Sequence, residues 1–235
     1  MRPLKGELLL EAWECGTNES DLARPLAMLS TSSDGCRPSD ELAELSIAER
    51  DIELLRLRRT TFGDALKGYV PCGACATRVE FETSVQSMLD QLEMLRPRTG
   101  ATWHAGRFTF TMRPVTSCDL EAIISATDPR LELLKRCISV EAEQALLNCE
   151  SIAIEHFNRL NAGGETQFML RCPACGAITR VEFDIGRFLW TEVRHAAINL
   201  LRDIHDLASA YGWSEASILA MAPARRAIYL EITRT

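Results

Sequence analysis

Tyr69-Val-Pro-Cys72-Gly-Ala-Cys75-Ala-Thr-Arg-Val-Glu-Phe81 and Met169-Leu-Arg-Cys172-Pro-Ala-Cys175-Gly-Ala-Ile-Thr-Arg-Val-Glu-Phe183 repeat one text a hundred residues apart. Each is a short apolar lead-in, a C-x-x-C and a Thr-Arg-Val-Glu-Phe strand. That pattern reads as a hairpin with two thiols at its tip. Structural zinc takes four ligands in a tetrahedron, and two such knuckles supply them, two from each turn. Either the hairpins meet and enclose a 96-residue insertion between Cys75 and Cys172, or each finds ligands elsewhere. The repeat favours the first, with Cys72, Cys75, Cys172 and Cys175 holding one zinc ion per chain. The second knuckle has Gly176 free to take a positive φ, which lets backbone N–H groups face sulfur. The first has Gly73 and Ala76 where the second has Pro173 and Gly176.

The bulk numbers fit a globular chain. At 235 residues, 46% hydrophobic and 25% charged, it can bury one large core or two modest ones. No apolar run reaches the roughly 20 residues that span a bilayer, and no signal-peptide pattern opens the chain, so a cytosolic protein with no membrane partner is expected. Nine cysteines are an odd number, and Cys15, Cys36, Cys118, Cys137 and Cys149 show no paired spacing. One metal site in a reducing compartment, with buried thiols for the rest, fits this better than a disulfide framework. A net charge of −7 argues against general nucleic-acid binding, which draws its affinity from cations that neutralise phosphates. The run Arg56-Leu-Arg58-Arg59 reads as a solvated or partner-facing helix face.

Beyond the two thiol knuckles, helical periodicity dominates. Expected helices are Gly6 to Cys15, stopped by Gly16; Leu22 to Leu29; and one opened by the capping box Ser46-Ile-Ala-Glu49 that runs to about Thr61, with Gly63 beyond its end. Ser30 to Ser39 reads as an exposed loop. Between the thiol hairpins, Ser84 to Leu95 is helical and Arg96 to Gly100 breaks it. Ala101 to Arg113 alternates with period two, a β-hairpin turning at Ala105-Gly106. Three helices are expected next: Asp119 to Ala126, one from Pro129 through Ile138, and one from behind Ser139 to about Leu160, ended by Gly163-Gly164. After the second hairpin comes the longest, with Ile185, Leu189, Val193, Ala197, Leu200, Ile204, Leu207 and Tyr211 on one face, Asp184 as N-cap and Gly212 as stop. It is a rod on the order of 40 Å. Short helices behind Ser214 and from Pro223 close the chain.

The fold class is therefore mainly α with small β elements: a helical protein with two C-x-x-C hairpins forming a zinc-ribbon-like module and one additional β-hairpin. Its parts are an N-terminal helical region (1–66), the paired thiol hairpins (67–83 and 166–184), a helical and β-hairpin insertion (84–165) and a C-terminal helical region (185–235). No G-x-S-x-G, G-x-G-x-x-G, Walker-type loop or H-E-x-x-H occurs. His104, His156, His195 and His205 are scattered. Four thiolates close a zinc shell, whereas a catalytic zinc keeps a position open. A thioredoxin-like thiol would sit at a helix N-terminus, not in a hairpin. The expectation is a protein that is not an enzyme.

The C-terminal third carries a resemblance. Cys172-Pro-Ala-Cys-Gly, then Phe183-Asp-Ile-Gly-Arg-Phe-Leu-Trp190-Thr-Glu, Leu200-Leu-Arg-Asp-Ile-His205-Asp-Leu-Ala-Ser-Ala-Tyr-Gly-Trp213-Ser-Glu and Ala224-Arg-Arg226-Ala-Ile-Tyr229-Leu-Glu resemble a family encoded in contractile-tail gene clusters. These are baseplate-associated proteins of myoviruses and phage-derived contractile injection systems, similar to baseplate hub assembly chaperones. Glu49 to Arg58, leading through Phe62-Gly63 into a C-x-x-C hairpin, follows the same order of elements. The resemblance covers most of the chain after about Leu42, and the first knuckle departs from it. It implies a structural or assembly-chaperone role that binds hub, spike, tube-initiator or tape-measure proteins. The setting is the bacterial cytoplasm during assembly, with the protein released or retained in the particle. Trp190, Trp213, Arg225, Arg226 and Tyr229 are then the expected partner surface, since aromatic and Arg side chains dominate interface energetics. The alternative is a zinc-ribbon regulator that contacts nucleic acid through the Arg56 to Arg59 run.

Overall fold

The computed structural model describes residues 1–35, 37–95, 100–141, 143–162 and 166–233. The expected breaks at Arg96 to Thr99 and Gly163-Gly164, and Cys36, lie outside the described residues. The fold is mainly helical with small antiparallel sheets, arranged around the longest helix.

That helix, α10 (Ile185–Tyr211), follows the thiol hairpin β6 (Thr166–Arg171) and β7 (Ile178–Phe183). Asp184 caps it by accepting from the Arg187 N–H at 3.1 Å, and Gly212 ends it in the left-handed conformation. Its apolar stripe is buried as the periodicity predicts: Leu189, Val193, Ala197 and Leu207 are closed to solvent. Each such Leu or Val contributes about 1.5–3 kcal/mol through the apolar surface removed from water. Around it pack α1 (Glu7–Thr17), α2 (Ala23–Ser32), α4 (Ile47–Phe62) and, towards its C-terminal end, α11 (Glu215–Leu219) and α12 (Pro223–Thr233). The main core also takes in Leu42 from α3 (Ser39–Ala43) and the buried face of α5 (Val85–Leu95).

Two expectations in this region change. Gly16 does not stop α1, which continues to Thr17. It is buried inside the helix because Trp190 lies on it: a Cβ at position 16 would sit 2.5 Å from a Trp190 ring carbon. Arg24 completes the junction, donating to the Gly16 carbonyl at 3.2 Å and stacking over Trp190 at 5.3 Å. The stretch from Ser30 to Ser39 is also less irregular than its composition suggests. α2 runs to Ser32, whose hydroxyl donates to the Leu29 carbonyl, and α3 begins at Ser39.

A second core is built on the sheet β3 (Ala101–Ala105), β4 (Phe108–Met112) and β5 (Ile138–Val140). Trp103 pairs with Phe110 across β3–β4 and stacks between Phe110 and His156, at 5.0 and 4.4 Å. Helices α7 (Pro129–Cys137), α8 (Glu143–Asn148) and α9 (Glu150–Asn161) pack on this sheet, and α6 (Ser117–Ala122) packs on α7. The helix expected through Ile138 ends at Cys137, and the one expected from Ser139 is replaced by a strand and two helices. Ile138, Ser139 and Val140 alternate β-branched with polar, and pairing on Phe110 to Met112 outweighs the local helical pattern. The break at Cys149 leaves Leu147 and Ile152 exposed rather than on a common buried stripe.

The two cores meet through matched helix caps. Ser46 and Thr116 each form a capping box, with Glu49 and Asp119, and face each other in an isolated antiparallel bridge. The Ile47 N–H donates to the Val115 carbonyl at 2.9 Å, and Arg50 reaches Ser117 Oγ at 3.3 Å.

The Arg56 to Arg59 run is not a uniform solvated face. Arg58 is buried and holds Glu192 of α10, while Arg56 is exposed and pairs with Glu53 and Glu93. Two of its cations are thereby engaged within the fold. Among the described residues no helix is long and apolar enough to cross a membrane.

Candidate metal centre

The first thiol hairpin is β1 (Ala65–Pro71) and β2 (Arg78–Ser84). Its knuckle closes with the Cys72 N–H on the Thr77 carbonyl at 2.8 Å and the Ala76 N–H on the Cys72 carbonyl at 2.9 Å. The second repeats this: Cys172 on Ala177 at 2.8 Å, and Gly176 on Cys172 at 3.0 Å. The chain direction is therefore reversed in the same way at both tips, and the left-handed residue falls on Ala76 in one and Gly176 in the other, at φ 57° and 74°.

This geometry corrects the alignment of the two texts. The knuckles correspond at an offset of one hundred, so Pro71 faces Arg78 as Arg171 faces Ile178. Glu182 then corresponds to Glu82, not to Glu80. The repeated Thr-Arg-Val-Glu-Phe has slipped by two residues, and a slip of two keeps every side chain on its original face of the strand. Phe81 and Phe183 therefore both still point inward, at different levels. Phe81 lies over Gly68 in its own hairpin and meets Phe168 of the other at 5.2 Å; Phe168 meets Phe183 at 5.4 Å. Phe183 continues to Phe188 on α10 at 5.3 Å. This aromatic row fastens the hairpins to each other and to the long helix. The sequence reading missed it because Phe168 has no aromatic counterpart at Gly68.

At the tips all four sulfurs lie within 4.8 Å of one another. The contacts cross between hairpins: Cys72 Sγ to Cys175 Sγ and Cys75 Sγ to Cys172 Sγ are both 3.7 Å. Four thiolates placed about 2.3 Å from a central ion would have edges of about 3.8 Å, so this donor set fits a tetrahedral metal. The first cysteine of each knuckle is buried and the second exposed, with Val70, Val79, Leu170 and Ala177 as an apolar collar.

The backbone favours negative sulfur here. N–H groups of Ala74 and then Cys75 pull the Cys72 thiol down to about 6, against its desolvation. The Thr77 hydroxyl and N–H lower Cys75. At Cys175 the Ala177 N–H acts in the same direction, but hydrogen bonding with the Cys75 and Cys172 sulfurs outweighs it and pushes the thiol up to about 12. A bound dication replaces such shared protons and makes all four groups thiolates. Elsewhere Cys137 is a contrasting case. Burial and the neighbouring Asp119 charge push it up to about 12, which makes it an inert core thiol.

The five residues expected to form one partner surface are not together. Trp190 is half-buried against Gly16 at one end of α10. Trp213 and Tyr229 meet at the other end, 4.9 Å apart, with Tyr211 stacked on Trp213 at 4.5 Å. Arg225 lies over Tyr229 at 5.8 Å and Arg226 is half-buried on the same helix. From Trp190 to Tyr211 the helix runs about 30 Å. Trp190 is a packing residue of the α1–α10 junction, and only the Trp213, Arg225, Arg226 and Tyr229 group can act as one surface.

No protein family, no curated protein and no solved structure matches the chain. Its fold and site define a mainly helical protein with two thiol knuckles that together could bind a metal ion.

Proposed function

We propose that the chain is a non-enzymatic assembly or structural protein that binds other proteins and is stapled by one structural zinc ion. The observation that carries the staple is the pair of 3.7 Å sulfur contacts between hairpins a hundred residues apart. Soft thiolate donors in a tetrahedron suit zinc, and four of them leave no position for a substrate or an activated water. The ion ties together the chain segments that enter and leave the insertion, and through Phe183 and Phe188 it steadies the start of α10.

The setting we propose is the baseplate of a contractile phage tail or injection system, with hub, spike, tube-initiator or tape-measure components as partners. The protein acts in the bacterial cytoplasm while the baseplate forms, and is either released or kept in the particle. The support is the family resemblance of the C-terminal third and the half-buried aromatic cluster, with its Arg neighbours, where α10 and α12 meet. Co-expression with baseplate proteins encoded beside it tests this reading. The expected result is a complex that survives size-exclusion chromatography. A chain that elutes alone from every such pairing contradicts it.

A further inference from the structure

A groove of about 710 Å³ runs between α1 and α11. Leu10 and the half-buried Leu219 form its floor, and Glu7, Glu11, Glu14 and Glu215 its rim. The three α1 carboxylates recur at steps of four and three, so they line one edge of the helix over about 10 Å. Ala216 and Ala220, one turn apart on the facing wall, keep that wall low. Among the described residues no Lys, Arg or His lines the groove, and these four carboxylates make no ion pair or hydrogen bond. Three exposed Glu side chains elsewhere are paired, Glu82 with Lys67, Glu93 with Arg56 and Glu155 with Arg159, but what sets the groove apart is four carboxylates gathered round one apolar floor.

The geometry points to a docking groove for a basic amphipathic helix of a protein partner. Such a helix lays apolar residues at helical spacing over Leu10 and Leu219 and sets Lys or Arg against the rim. The apolar floor excludes a purely ionic ligand as the best fit, and the four carboxylates repel phosphates, so nucleic acids and anionic membranes are poor occupants. Like charges flanking one groove repel each other, and a cationic occupant relieves that repulsion while steering the encounter. This inference deepens the protein-binding reading by naming the partner's chemistry. It rests on that reading only for where the helix comes from.

The test uses the full zinc-loaded chain and a synthetic two-to-three-turn helical peptide carrying Lys on its edges and Leu on its face. Binding is followed by fluorescence anisotropy and by methyl shifts of the unmodified protein. The expected result is saturable binding that shifts the Ala216, Ala220 and Leu219 methyls and leaves Ile124 unmoved. Replacing Glu7, Glu11 and Glu215 by Gln weakens it about tenfold or more, whereas the same change at the exposed Glu121, Glu132 and Glu150 has an effect under about twofold. Equal losses in the two sets, displacement by spermine as effective as by unlabelled peptide, or no methyl shift at the groove each overturn the inference. These outcomes are independent of the co-expression result, which tests the setting and not the groove.

Discussion

Arg58 on α4 and Glu192 on α10 form a two-pronged ion pair at 3.0 and 2.9 Å across 134 residues of sequence. The Arg58 side chain is only 4% exposed, and it also donates to the Gly63 and Ala65 carbonyls at 2.7 and 2.8 Å. One guanidinium thus satisfies the end of α4, the start of the first thiol hairpin and the middle of the main core. Removing Glu192 leaves that cation buried without its counter-charge. Glu192→Ala is expected to lose about 3 kcal/mol in denaturant unfolding, at the low end for a broken buried pair because Glu192 is partly exposed. Glu82→Ala, which breaks the exposed pair with Lys67, is expected to lose under about 1 kcal/mol. Equal losses contradict this account of the junction.

Gly16 gives a prediction of unusual sign. In an exposed helix, Gly to Ala stabilises by about 1 kcal/mol. Here the new methyl meets the Trp190 ring at 2.5 Å, so Gly16→Ala is expected to destabilise by about 2 kcal/mol. Combining it with Trp190→Leu should cost less than the sum of the two single changes, because the clash disappears. Additive losses in a double-mutant cycle would remove the contact from the explanation.

The knuckles differ in one testable way. Ala76 is the one non-glycine with positive φ among the described residues, and its counterpart is Gly176. Ala76→Gly relieves the left-handed strain and is expected to stabilise the metal-loaded protein by about 1 kcal/mol; Gly176→Ala should destabilise it by a similar amount. Among the described residues nothing lies within 4 Å of a Cβ at Gly176, so the effect is one of backbone and not of contact. Thermal unfolding of both variants at matched metal content checks the pair. A shift of the same sign in both contradicts it.

Asp119 contributes to the acid limb of stability. Burial acts to raise its carboxyl, but Arg113 and the Thr116 backbone and hydroxyl outweigh it, holding the group below its ordinary 3.8. Arg113 and Arg136 both bond it, the latter at 3.0 Å. Since the folded carboxyl titrates below the unfolded one, its contribution is complete above about pH 4 and is lost as pH falls below that. Asp119→Asn should be less stable near neutrality and lose less on going from about pH 4 to pH 2. Superimposable acid limbs for the variant and the unmodified chain contradict the assignment.

Local signals account for much of what the sequence discloses. The Ser46–Glu49 box, the Asp184 cap, the Gly212 stop and the unbroken stripe from Ile185 to Leu207 are encoded within a few turns, and each element lies where its signal puts it. The four metal-capable cysteines are legible for the same reason: a C-x-x-C fixes its own turn. Features decided by distant partners are not legible. Ile138 to Val140 reads as helix until β4 is there to pair with it, and Gly16 reads as a stop until Trp190 lies on it. The Arg58–Glu192 pair and the groove between α1 and α11 join residues that no periodicity relates. The slip of the repeated strand by two shows a subtler limit. Textual identity preserved the face of each residue but not its level, because the knuckle and not the strand sets the register.

The central claim is a single metal shared by two hairpins. Elemental analysis of the purified full chain tests it most directly, with Cys72→Ser and Cys172→Ser variants alongside. One zinc ion per chain, lost when either hairpin is altered, is the predicted result. Zero zinc, two per chain, or a full complement retained after one hairpin is altered contradicts the shared site.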